Sequence, residues 1–127
     1  APLTGPSGLS PLLSYPRGTI VVNDEIYFAD YGNHCIRKID SNGVMSDVAG
    51  VCVSGGYSGN GTQANSAQLL YPSSIAFASN GDMFIADSGN HIIRKVSGGI
   101  ISTVAGNQNI LEMVYPHRTA TFIIQLI

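Results

Sequence analysis

The chain has 127 residues, a formal net charge of −2 and only 11% charged residues, where soluble domains average about 25%. That length bounds it to one modest domain, and 6 Lys and Arg in all are too few and too scattered for non-specific nucleic-acid binding, which needs clustered cations. No run of about eighteen apolar residues occurs, so no membrane span is expected; abundant Gly, Ser and Asn among Val, Ile and aromatic residues point to short strands in tight turns, not to disorder.

Residues 1–14 read as the end of a connection that precedes the first repeat. Their opening, "APLTGPSGLSP", has no basic start and no apolar run, so no signal peptide is expected there. It also lacks an initiator Met, which reads as a processed or cropped chain and leaves secretion open. Residues 15–50, "YPRGTIVVNDEIYFADYGNHCIRKIDSNGVMSDVAG", then return at 71–106 as "YPSSIAFASNGDMFIADSGNHIIRKVSGGIISTVAG". Two opposing single-residue gaps bring the copies into register, and such self-similarity is the mark of a repeat architecture.

Each copy divides into four strand-like pieces. In the second copy they are 74–78, 82–86, 91–96 and 100–104. The breaks between them are Asn80-Gly81, Ser88-Gly89-Asn90 and Gly98-Gly99. Asn-Gly and Gly-Gly favour the positive φ angles of short hairpin loops. In the first copy Tyr31-Gly32-Asn33 and Asn42-Gly43 mark matching breaks. Four antiparallel strands with no helix between them make one blade of a β-propeller. Residues 51–70 form a Gly/Ser-rich connector. Residues 107–127 begin a degenerate third unit at Tyr115-Pro116 and end in "FIIQLI", an apolar, β-prone run expected to pair with a neighbouring strand.

The repeats resemble those of the NHL propeller family. Tyr71-Pro72, "FIADSGNHIIRKV" at 84–96 and "VAG" at 104–106 carry the resemblance, which covers roughly residues 15–116. It implies an all-β fold of four-stranded antiparallel NHL-type blades. Such propellers usually close with about six blades, so two imply a partial propeller, or one completed by other chains. A fold of this kind implies no single activity.

The doubled Asp-x-Gly-Asn-His invites a catalytic or metal-binding reading. Asp30, Gly32 and Asn33, with Asp87, Gly89 and Asn90, are read instead as turn residues, since Asn bonds turn amides and tolerates the left-handed region. His34 and His91 lie in separate blades with no third ligand nearby, so no metal site is expected. Hydrogen bonding between blades suits them better. Arg37-Lys38 and Arg94-Lys95 lie on third strands, where neighbours point to opposite faces; an inter-blade pairing with Asp30 or Asp87 is expected. Cys35 and Cys52 do not repeat. A hairpin through Asn42-Gly43 brings them towards one another, so either a disulfide, implying an oxidising compartment, or two buried thiols is expected. Asn60-Gly61-Thr62 is the sole N-glycosylation sequon; the family resemblance implies an acidic residue more often at Asn60, which strengthens the glycan reading.

No G-x-S-x-G, H-E-x-x-H or P-loop motif occurs, and no catalytic residue, metal or cofactor is expected. The expectation is a non-catalytic module, extracellular or secreted, that contacts protein or glycan or self-associates with further blades. Its interaction surface would gather His34, Tyr57, Asn60 and His91, because the connector and the turn after strand two share one end of a blade. The alternative is part of a propeller enzyme, a lyase or hydrolase, whose metal-containing axial site other blades complete. A third class, RNA-binding NHL domains, expects a basic face that this chain, with pI ≈ 5.8, does not provide.

Overall fold

The computed structural model describes residues 12–106. The expected third Tyr-Pro unit, the terminal 122–127 run and residues 1–11 lie outside the described residues. Eight strands fall into two four-stranded antiparallel sheets: β1 (Pro16–Val22), β2 (Glu25–Asp30), β3 (Cys35–Ile39) and β4 (Met45–Ala49), then β5 (Pro72–Phe77), β6 (Met83–Asp87), β7 (Ile92–Ser97) and β8 (Ile100–Gly106). Each strand pairs with its chain neighbour, in the spatial orders β1-β2-β3-β4 and β5-β6-β7-β8. Each sheet is therefore one up-and-down blade.

Tight turns follow from local chemistry. Asn23 and Asp24, at φ 51° and 63°, join β1 to β2, and Gly98 and Gly99, at 59° and 81°, join β7 to β8. Both pairs occupy the left-handed region that a two-residue hairpin requires, which Asn, Asp and Gly reach at least cost. Between β3 and β4 the carboxylate of Asp40 accepts the N–H groups of Asn42 and Val44, both at 2.9 Å, an Asx turn.

Alternation along the strands gives each blade two faces. Tyr27, Ala29 and Ile36 share one face of the first blade through the Ala29–Ile36 register. Ile75, Ile85 and Met83 share the opposite type of face in the second, through Ile75–Ile85 and Phe77–Met83. These two sets and the connector residues Ala64, Ala67 and Leu69 form a single apolar cluster. Tyr27 and Phe77 meet across it edge-to-face, with ring centroids 4.9 Å apart. Fully burying each Ile or Leu contributes about 1.5–3 kcal/mol, so this seam holds the blades together. The connector is thus part of the core as well as a surface loop.

Candidate functional site

β2 and β6 end in Asp30 and Asp87, which are fully buried. Each opens a short 3-10 turn, Tyr31–Asn33 or Ser88–Asn90. The carboxylate grips the chain that enters its own blade. Asp30 Oδ1 accepts the N–H of Ser14, and Asp87 Oδ1 the N–H of Leu70, both at 2.8 Å. The next Gly completes the clamp: Gly32 N–H donates to Ser14 O and Gly89 N–H to Leu70 O, both at 2.7 Å. A Cβ on Gly89 would stand 2.5 Å from Leu70 O, and one on Gly32 would overlap Ser14 Oγ. The repeated Gly is needed for close approach of a backbone, a use of glycine separate from positive φ.

The other carboxylate oxygen collects side chains. Asn33 Nδ2 donates to Asp30 Oδ2 at 2.9 Å and Asn90 Nδ2 to Asp87 Oδ2 at 3.0 Å. The left-handed seat of the turn belongs to His34 and His91, at φ 61° and 59°, and not to Asn33 and Asn90 as the sequence suggests. Asn is spent on the carboxylate, so the residue after it must turn the corner.

The Asp–Arg pairing is also corrected. It forms within a blade, because β2 and β3 are adjacent and Asp30 pairs with Cys35 two residues before Arg37. Arg37 Nη1 lies 3.1 Å from Asp30 Oδ2, and its Nε lies 3.1 Å from Asp47 Oδ1. Arg94, wholly buried, stands farther from its acid, 3.9 Å from Asp87 Oδ2. Its Nη1 donates to Gln68 O at 2.8 Å, and its Nη2 to Ser58 O at 3.0 Å and Asn60 Oδ1 at 2.8 Å. Its Nε has no partner. Burial, against the opposing pull of Asp87, lowers the Arg94 pKa; burial likewise raises Asp87 above its ordinary 3.8, against the bonds from Leu70 and Asn90 and the charge of Arg94.

Cys35 and Cys52 are joined in a disulfide, with Cα atoms 5.0 Å apart. It fastens the start of the connector to the start of β3. Asp47 lies near both sulfurs, but the sulfurs are bonded to each other and offer no thiolate to a metal or substrate.

The four expected surface residues separate. His34 Nδ1 accepts the N–H of Tyr71 at 3.0 Å, and the rings pack edge-on at 4.4 Å. His34 is therefore a joint between the first blade and the entry of the second. Asn60 turns its Oδ1 onto Arg94 and Thr103 and donates Nδ2 to Tyr57 OH at 3.0 Å. The Tyr57 ring stacks on the Arg94 guanidinium at 5.3 Å. His91 is exposed. Beyond the repetition of Arg-Lys, no sequence signal marks the buried Arg94 as the organiser of the connector. Nor does one mark Tyr71, whose backbone reaches His34.

Of the 11 exposed large apolar side chains among the described residues, 7 lie at this end of the blades: Leu12, Leu13, Tyr15, Val51, Val53, Tyr57 and Tyr71. A buried polar clamp thus underlies an apolar surface. Among the described residues, no helix is long and apolar enough to cross a membrane.

Two blades built on one doubled clamp define a β-propeller segment. The family model for the teneurin NHL domain matches residues 51–124, and the chain belongs to the NHL-repeat family. It is 33% identical over 126 residues to human NHL repeat-containing protein 2, with 81% of this chain and 17% of that protein covered. It is 34% identical over 90 residues to the chloroplastic protein SUPPRESSOR OF QUENCHING 1 of Arabidopsis thaliana, with 70% of this chain and 8% of that protein covered. The chain therefore spans under a fifth of either relative. A structural genomics protein of unknown function from Bacteroides thetaiotaomicron superposes with a TM-score of 0.66 at 24% identity, covering 79% of this chain and 26% of that one. An auxiliary nutrient binding protein from Bacteroides ovatus gives 0.61 at 23%, covering 73% and 26%. At these identities the likeness is one of fold.

Proposed function

We propose that the chain is a non-catalytic interaction module of an extracellular protein. Its blades hold the connector and the two Gly-Asn-His turns as one rigid face for contact with a protein or glycan, or for assembly with further blades. One observation carries this reading. The Asp, Asn and Arg of the doubled motif, all buried except the half-buried Asn33, are bonded into the blades, while exposed apolar and aromatic side chains gather above them. Contiguous exposed apolar surface of this kind marks interaction sites. The Cys35–Cys52 disulfide suits an oxidising compartment, and the Asn60 sequon suits glycosylation there.

The connector cannot simply be deleted, because Ala64, Ala67 and Leu69 belong to the core. Surface substitutions are the fitting test. The full chain and a Val53→Ser/Tyr57→Ser variant are immobilised and exposed to secreted proteins and glycans. The reading predicts ligands retained by the wild type and released by the variant while the variant still unfolds cooperatively as a folded chain. If both retain the same ligands, or if the intact assembly carries stoichiometric calcium or zinc, the reading fails.

A further inference from the structure

The net charge of −2 conceals a polarised molecule. Asp24, Glu25, Asp40 and Asp82 lie in or beside the β1–β2, β3–β4 and β5–β6 turns, at the end of the blades away from the clamp. The other described acids are consumed: Asp30 and Asp87 are buried, and Asp47 pairs with Arg37. Among the described residues, the clamp end therefore exposes no unpaired carboxylate.

What it exposes is a connected set of rings and one guanidinium. Arg17 lies across Tyr31 with Cζ 4.0 Å from the ring centroid. Tyr31 is 5.0 Å from Tyr71, and Tyr71 is 4.4 Å from His34. Arg17 is exposed and pairs with no carboxylate among the described residues. Tyr15 and Tyr71 hold φ of 53° and 49°, a region bulky residues seldom enter. Both follow a residue fixed by the Asp–Gly clamp, Ser14 or Leu70, and both precede a proline. The clamp thus imposes this strain in each blade, and the rings stand out at 74% and 42% exposure. Strain held by surrounding structure is characteristic of functional positions.

We propose that Tyr15, Arg17, Tyr31 and Tyr71 form a docking surface for an acidic segment of a partner protein. This rests on the reading of the clamp end as a binding face and names the chemistry of its partner. A guanidinium stacked on a ring is pre-organised to take a carboxylate through two parallel N–H donors. Tyr and Arg are the side chains that dominate protein interfaces. Nucleic acids and sulfated polysaccharides need several cations along a track, and here one Arg stands alone among tyrosines. A small ligand needs a recess, and two recesses among the described residues, at 48, 63–65 and 98–100 and at 74–76, 84–86 and 93, lie away from this surface.

The test titrates the full chain with a labelled octaglutamate peptide, followed by anisotropy and by amide NMR shifts. Octalysine, heparin and oligo(U) RNA are run beside it. The proposal expects octaglutamate to bind, with shifts at 15–17, 31 and 71, and to weaken as salt rises. It expects Arg17→Ala to lower the affinity about tenfold, the loss of one charge-assisted pair, with an unchanged unfolding midpoint. Asp24→Asn, at the far end, should leave binding unaltered. It is overturned if octaglutamate fails to bind, if Arg17→Ala binds it equally, or if heparin or oligo(U) binds through Arg17 while octaglutamate does not. Octaglutamate binding that survives Val53→Ser/Tyr57→Ser supports this docking surface even if that variant defeats the connector reading. Loss of other ligands in that variant, with octaglutamate silent, defeats this proposal alone.

Discussion

Arg94 faces Thr103 across β7 and β8 at the register position where Arg37 faces Asp47 across β3 and β4. One blade thus gives its buried guanidinium two carboxylates, and the other gives it one distant carboxylate and an Asn60 amide. Arg94 Nε is left without a partner. Thr103→Asp should restore the missing acceptor. A bond to a charged group contributes about 1.5–3 kcal/mol, less the cost of desolvating the new carboxylate, which leaves roughly 1 kcal/mol of added stability. The midpoint of urea unfolding at neutral pH measures it; a lowered midpoint would show that Nε is not the deficit.

Gly89→Ala sets a Cβ against Leu70 O at 2.5 Å. A carbonyl in the clamp cannot step aside without losing its bond to Gly89 N–H. A loss of about 2–4 kcal/mol is expected, in the range of overpacking and broken buried bonds. Gly43→Ala, with nothing within 4 Å of its Cβ, tests φ alone and should cost only about 1 kcal/mol. Equal losses at the two sites would remove the close-approach account.

Reduction should loosen the connector. The disulfide closes a loop with a sequence separation of 17, for which chain-entropy estimates give about 3 kcal/mol. Thermal unfolding of the wild type with and without dithiothreitol, and of Cys35→Ala/Cys52→Ala, should show the same fall in each case. An unchanged melting temperature would contradict a structural role for the bond.

Asp87 gives an unusual acid response. Burial raises its pKa above 3.8 in the folded chain, so the folded state holds the proton more tightly than the unfolded state. The associated stability is fully present below the unfolded pKa and is lost as pH rises through the folded one. Wild type should therefore lose stability relative to Asp87→Asn as pH climbs above the ordinary carboxylate value of 3.8. Parallel midpoints across that range would mean that the bonds from Leu70 and Asn90 offset burial.

Much of the fold was legible because each blade is local. Antiparallel neighbours are joined by turns whose Asn and Gly announce themselves, and the expected breaks at 80–81, 88–90 and 98–99 separate the observed strands. The site was less legible, because its bonds are long-range. Leu70 reaches Asp87 across 17 residues, Tyr71 reaches His34 across 37, and Arg94 reaches Ser58 across 36. His34 is placed on the candidate surface because its turn shares one end of the blade with the connector, and its Nδ1 is taken by the Tyr71 N–H in a bond between blades, whose partner Tyr71 no local pattern marks. Asn33 was given the left-handed seat by propensity, but the buried carboxylate of Asp30 outbid that preference for its side chain.

The most direct test of the claim that the doubled motif builds the blades is urea unfolding of Asp87→Ala. Removing this carboxylate leaves Arg94 buried without its acid and frees the Leu70 N–H and Asn90 Nδ2 of their acceptor. A loss of about 3–5 kcal/mol is predicted, as for breaking one side of a buried pair. An unchanged midpoint would contradict the account and return the motif to chemistry.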